Sequence, residues 1–251
     1  MKTKIETNED YHKSQNISAS GLKSIYKKSV YHFLNQKPFT SSALSLGSAV
    51  HVAMLEPEKF NDEFYVFPKI DRRTKEGKQD YKNHSTKAEK KELISESDLF
   101  TIESIKEKLK FHSLAKEYCE GKIELSHYGE MDSVPIRVRP DCKGVDWISD
   151  VKSCQDNSPL AFKRDIYKWS YHLQATFYSD ALGYPAENFR FIAVETNHPF
   201  TIEVYKMNED MIEQGRKGYK DALANWKLYL DTGVQTGYKG YEYAKDGAII
   251  I

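Results

Sequence analysis

The chain has 251 residues and a mass of 29.1 kDa, with 39% hydrophobic and 29% charged residues, enough for one sizeable core or two small ones. Its 37 basic and 37 acidic side chains cancel, so any basic patch that meets a nucleic acid has to be local. The opening MKTKIETNEDYHKS has no apolar h-region, and no run approaches the roughly 20 apolar residues that span a bilayer. Three cysteines, Cys119, Cys142 and Cys154, without CxxC spacing argue against a zinc ribbon or a four-cysteine iron–sulfur site. A reduced, cytoplasmic protein with no membrane contact is the expectation.

Residues 1–16 are polar and expected to be loosely ordered, with 17–251 forming a single domain. SASGLKSIYKKSVYHFL places Leu22, Ile25, Tyr26 and Phe33 at helical spacing, with Ser18 or Ser20 as N-cap. SSALSLGSAVHVAMLEP is rich in Ala, Leu and Met and predicts a helix that stops before Pro57. Over 71–91 the composition shifts to DRRTKEGKQDYKNHSTKAEKK, dense in Lys and Arg and interrupted by Gly77 and Asn83. Two readings stand for this stretch: a solvated loop, or an arm that contacts phosphates. SESDLFTIESIKEKLKFHSLAKEYC predicts a long amphipathic helix capped by Ser97.

After Gly121 the period changes to two. KIELSHYG, PIRVRPD and DWISDVKS read as three antiparallel strands, the last two joined by CKGV into a hairpin. Ser158-Pro159 opens a helix expected to run to Gly183, FRFIAVET and TIEVYKM read as strands, and a last helix covers about 208–230 before a tail rich in Gly and Tyr. The sum is an α/β domain with a mixed central sheet flanked by helices.

Acid-x-Lys triplets recur six times, but only Asp150/Lys152 lies inside an apolar strand. There the period of two puts both side chains on one face and Val151 on the other. Such charges at the edge of a core need compensation. One reading is an ion pair that also involves Asp141. The other is a divalent cation held by Asp141, Asp150 and the Val151 carbonyl, a hard oxygen set suited to Mg²⁺ or Mn²⁺. Lys152 would then orient an attacking water or offset charge on a phosphate. Gln174 and Tyr178 share a helix face, and His51 follows Gly47 by one turn; each pattern alone is commonly structural.

Together these residues resemble a known superfamily. Pro140-Asp141, eight residues, then Asp150-Val151-Lys152 resembles the PD-(D/E)xK signature of restriction-endonuclease-like nucleases. Gly47-xxx-His51 and Gln174-xxx-Tyr178 are similar to the added motifs of its RecB-like branch. The blocks ISASGLKSI, LGSAVHVAMLEPEKF, RRTKEGK, RPD, DVKS and YHLQATFYSDAL resemble RecE-type exonucleases (exodeoxyribonuclease VIII-like) of phages and prophages, over residues 17 to 205. The resemblance implies a restriction-endonuclease-like fold and a Mg²⁺- or Mn²⁺-dependent exonuclease in the bacterial host cytoplasm. It would degrade linear double-stranded DNA 5′ to 3′, leaving 3′ overhangs for a single-strand annealing protein.

By the same resemblance Asp141, Asp150, the Val151 carbonyl and His51 would hold the metal, and Lys152 would be the catalytic lysine. Gln174 and Tyr178 would position the DNA backbone near the scissile phosphate, with Glu124 a lesser candidate. Arg72, Arg73, Lys75 and Lys78 would grip DNA, and a ring-shaped homo-oligomer would fit processive action. The alternatives are an endonuclease or single-strand exonuclease on this fold, or a DNA-binding module without activity.

Overall fold

Helix starts follow from local chemistry. Thr7, Ser18, Ser29, Thr74, Ser95 and Asn208 each accept, through a side-chain oxygen, the backbone N–H three residues on, satisfying a donor that the first helical turn leaves open. The structure is a computed structural model that describes residues 1–37, 42–238, 242–243 and 249–250. Side chains are described over 1–37 and 45–238, so most of the Gly- and Tyr-rich tail and the start of the Ala-rich helix lie outside the described residues.

In chain order the elements are β1 (Lys2–Lys4), α1 (Asn8–Lys13), α2 (Ala19–Lys27), α3 (Val30–Leu34), α4 (Ser42–Leu55) and α5 (Phe60–Glu63). Then come β2 (Phe64–Phe67), α6 (Lys75–Lys87), β3 (Glu92–Ser95), α7 (Glu96–Phe111), α8 (Ser113–Glu117), β4 (Lys122–Ile123), β5 (Ser126–Met131) and β6 (Val134–Val138). The second half holds β7 (Cys142–Lys143), β8 (Ile148–Cys154), α9 (Pro159–Lys168), α10 (Tyr171–Leu182), β9 (Phe189–Glu195), β10 (Ile202–Tyr205) and α11 (Glu209–Thr232), followed by the short pair β11 (Glu242–Tyr243) and β12 (Ile249–Ile250).

The central sheet has the order β10-β9-β8-β7-β4, and β8 runs parallel to β9 while the other pairs are antiparallel. A second, antiparallel sheet has the order β1-β5-β6. Alternation along β9 builds a core on each side of the central sheet. Phe189, Phe191 and Ala193 pack with Leu173, Phe177 and Tyr219 of α10 and α11, whereas Ile192 and Val194 pack with Val50, Ala53 and Ile102 of α4 and α7.

Several expectations change. The predicted hairpin from PIRVRPD to DWISDVKS does not form as such. Val134–Val138 pairs with β5 in the second sheet, and only Cys142 and Lys143 fold back on β8, against Ser149 and Ile148. The three strands expected in one antiparallel set are thus divided between two sheets. Residues 1–16, expected to be loose, contribute β1 and α1, with Tyr11 buried.

The stretch 71–91, whose plainest reading was a loop, forms α6 between the parallel strands β2 and β3. Thr74 caps it, and Tyr65 and His84 join by a 2.7 Å hydrogen bond. Ser95, with Asp98 in a capping box, starts the long helix in place of Ser97, and His112 ends that helix and caps α8. The helix expected from Ser158 to Gly183 breaks in two at Trp169 and Ser170, the latter buried with φ of 53°. Gly183, at φ 75°, closes α10 as expected. Among the described residues no helix is long and apolar enough to cross a membrane.

Candidate active site

The site forms where β8 loses a neighbour. β7 pairs with β8 only as far as Ser149, so the Val151 N–H on that side has no strand partner and donates instead to Asp141 Oδ2 at 2.7 Å. Asp141 is therefore locked at the point where the chain crosses from the second sheet into the central one. Asp150, fully buried, shares a face with Lys152, and their side chains form an ion pair. The other carboxylate oxygen, Oδ1, accepts from Gln174 Nε2 at 2.7 Å, and Lys152 Nζ sits 4.8 Å from the centre of the Tyr171 ring.

Helix α4 supplies the opposite wall. A side chain at Gly47 would bring its Cβ to 3.2 Å from Ser153 Oγ, so the glycine lets α4 lie close on β8. One turn later His51 Nε2 stands 3.1 Å from Asp141 Oδ2 and 3.3 Å from Glu124 Oε1. Glu124 adopts φ of 48° just after β4; its N–H donates to the Asp141 carbonyl at 3.1 Å, and its Oε2 meets Arg139 Nε at 2.6 Å. Arg139 in turn lies over Tyr11, 4.3 Å from the ring centre.

Burial and crowding of like charge dominate the electrostatics. Burial, then the Asp141 carboxylate, pushes Asp150 up to about 6. Glu124 is pushed up to about 7 by the same two causes. Burial works to raise Asp141 as well, but His51, Lys152 and the Val151 N–H outweigh it and hold it below the usual carboxylate range. For His51 burial favours the neutral ring, yet Asp141 and Glu124 carry it up to about 9. Burial would lower Lys152, but Asp150 and Asp141 hold it above the ordinary lysine value.

The donor set fits a divalent cation. The ligand atoms of His51, Glu124 and Asp141 lie within 4.8 Å of one another, the one such group among the described residues. Asp150 Oδ2 is buried and, apart from its ion pair with Lys152, accepts no well-directed hydrogen bond. The carboxylate oxygens suit Mg²⁺ or Mn²⁺, the single imidazole adds a nitrogen that softer divalent ions favour, and a cation there would relieve the repulsion that raises Asp150 and Glu124.

The structure thus brings His51, Glu124, Asp141, Asp150, Val151, Lys152 and Gln174 together. Glu124, expected as a lesser member, stands directly beside His51. Gln174 is buried on Asp150 and accepts from Lys23 Nζ at 2.9 Å, so it faces the carboxylate and not open surface. Tyr178 is buried in the core beside Phe177. Arg72, Arg73, Lys75 and Lys78 are exposed on or beside the start of α6. Arg73 forks onto Asp71, and Arg72 lies 4.6 Å from the Tyr81 ring centre. No hydrogen bond or ion pair among the described residues joins these four to the site.

Sequence reasoning missed Lys23, Arg139 and Tyr171. Burial, then Lys152, lowers Lys23 to about 8. Its signal was a lysine at the edge of an apolar helix face, between Leu22 and Ile25.

Among solved structures, the chain is similar to a candidate exonuclease from Eubacterium rectale, with a TM-score of 0.61 and 14% identity over 94% of this chain and 91% of that one. At that identity the likeness speaks for the fold. No curated protein matches the chain in sequence. The family model of the PDDEXK-like domain of unknown function (DUF3799) matches residues 18–243, which fits the mixed sheet with flanking helices and the Asp141, Asp150 and Lys152 arrangement. The protein has a restriction-endonuclease-like fold and belongs to this PDDEXK-like family.

Proposed function

We propose that the protein is a divalent-metal-dependent nuclease that hydrolyses DNA phosphodiesters, acting as a 5′-to-3′ exonuclease on linear duplex DNA. The observation that carries this reading is the convergence of His51, Glu124, Asp141, Asp150 and Lys152 on the unpaired edge of β8. When bound, Mg²⁺ or Mn²⁺ would supply activation of water and compensation of phosphate charge. His51, Glu124, Asp141 and Asp150 would hold it.

The chain's own residues divide the remaining work. The Val151 N–H fixes Asp141, and Gln174 fixes Asp150. Lys152, kept protonated by two carboxylates, offers a positive charge and N–H donors to a phosphate oxygen. Arg139 holds Glu124 and keeps its carboxylate turned to the site. The exposed cations of the α6 arm, Arg72, Arg73, Lys75 and Lys78, would add sequence-independent backbone contacts.

The finer parts of the reading, duplex DNA, 5′ polarity, Mg²⁺ and 3′ overhangs for an annealing partner, draw support from the resemblance of the sequence blocks to RecE-type exonucleases. The test is linear duplex DNA labelled at one 5′ end, incubated with Mg²⁺ or with EDTA, beside a closed circular duplex. We expect labelled nucleotides from the linear DNA with Mg²⁺ alone, and no release from Asp150→Asn or Lys152→Ala. Cutting of the circle would make the protein an endonuclease. Intact DNA with wild-type protein in both Mg²⁺ and Mn²⁺ would overturn the nuclease reading.

A further inference from the structure

A second charged pocket shares Lys23 and Tyr171 with the surroundings of the carboxylates. It has a volume of about 320 Å³ and sits between α2 and the junction of α9 with α10. Lys23, Lys27, Lys28, Trp169 and Tyr171 line it, and no carboxylate does. The break at Ser170 ends α9 early and leaves the Trp169 side chain turned outward, 48% exposed.

Lys27 Nζ lies 5.5 Å and Lys168 Nζ 4.8 Å from the centre of the Trp169 ring. Among the described residues, none of the ion pairs involves Lys23, Lys27, Lys28 or Lys168. Lys27 does donate to the Lys168 carbonyl, a cation on the last turn of α9. One lysine suffices for that cap; Lys168 over the same exposed indole and Lys28 along the pocket wall need another reason.

A half-exposed indole with two ammonium groups against it, in a pocket that no carboxylate lines, is the chemistry that takes a nucleobase and its phosphates: stacking holds the base, and the lysines hold the backbone. The pocket also adjoins the candidate active site through shared side chains. Tyr171 lies 5.7 Å from Lys23 Nζ and 4.8 Å from Lys152 Nζ at its ring centre, and Lys23 bonds to Gln174, which bonds to Asp150.

We propose that this pocket is a subsite for a nucleotide of single-stranded DNA near the scissile phosphate, with its base stacked on Trp169 and its phosphates among Lys27, Lys28 and Lys168. The inference rests on the nuclease reading for its place in catalysis. It does not depend on that reading for binding. The subsite is separate from the α6 arm, whose cations stand on a different element.

The test is anisotropy of a short fluorescein-labelled oligothymidylate with the full chain in EDTA, so that nothing is cleaved. Trp169→Ala should weaken binding about tenfold, whereas Trp169→Phe, which keeps an aromatic face, should retain most of it. Lys27→Ala with Lys28→Ala should weaken binding and lower its salt dependence. Circular dichroism of each variant checks the fold, and a half-exposed indole leaves little packing to lose. Wild-type affinity in Trp169→Ala overturns the subsite, and so does a loss in Trp169→Phe as large as in Trp169→Ala.

Cleavage of linear duplex by wild-type protein is read separately. Cleavage together with unchanged Trp169→Ala binding removes the subsite and leaves the nuclease standing. Weakened binding in Trp169→Ala without any wild-type cleavage does the reverse.

Discussion

Two regions of this molecule concentrate charge, and they do so in opposite ways. At the edge of β8 the charged groups are few, with Asp150 buried and the others half-buried, and each touches another: Asp141 meets His51, Asp150 meets Lys152, and Glu124 meets Arg139. On the α6 arm Arg72, Arg73, Lys75 and Lys78 are exposed, and Arg73 pairs with Asp71, two residues before it. Two unit charges 4 Å apart interact by about 1 kcal/mol in water and about 4 kcal/mol near a protein surface. Carboxylates at β8 therefore reshape one another's protonation, while water screens the cations of α6 from each other. Charge density alone does not single out a candidate catalytic site; convergence under burial does.

The sharpest way to break that comparison is at β8. Asp150→Asn keeps the shape and removes the charge, and we expect metal-dependent cleavage to fall by on the order of a thousandfold with the fold intact by circular dichroism. A variant that cleaves normally would place the chemistry elsewhere. Gln174→Leu leaves a buried carboxylate oxygen and Lys23 each without its present partner. It should cost about 1–3 kcal/mol in urea unfolding and slow cleavage by roughly ten- to a hundredfold; unchanged values would mean that Asp150 needs no support from α10.

The arm should respond to salt and not to stability. Replacing Arg72, Arg73, Lys75 and Lys78 together by Ala should weaken duplex binding about tenfold at moderate salt. The slope of log affinity against log salt should become shallower by up to roughly 0.9 for each phosphate that the arm no longer neutralises. Thermal unfolding should not move. An unchanged slope would leave α6 a solvated face. The smallest effect is expected at Gly47→Ala, where the gain in helix propensity roughly offsets crowding against Ser153, so stability changes by less than about 1 kcal/mol. Cleavage should still fall severalfold, because α4 carries His51; equal activity would show that the close approach at Gly47 is not needed.

Much of the site was legible because period-two alternation is a local property. It placed Asp150 and Lys152 on one face of one strand, and the same short-range chemistry set the helix starts at Ser18 and Asn208 and the stop at Gly183. The hairpin around Asp141 was misread because apolar alternation in PIRVRPD does not say which sheet receives it. The loop reading of 71–91 failed for a related reason. Its composition is polar, but a threonine cap and packing of His84 and Tyr81 against Tyr65 and Phe67 of β2 fold it into a helix regardless.

What the sequence determined by itself is what short-range geometry controls: element types, caps, the facing of side chains along β8 and the hard-ligand character of its charges. The tertiary structure alone decided which distant residues complete the set. Glu124 reaches His51, far back along the chain, because the residue that follows β4 and helix α4, which packs on β8, come together where β7 ends, and Lys23 reaches Gln174 because α2 packs on α10. Burial of the apolar faces drives those approaches, and it acts on area and shape, not on spacing along the chain. No pattern in one segment can therefore announce its partner in another.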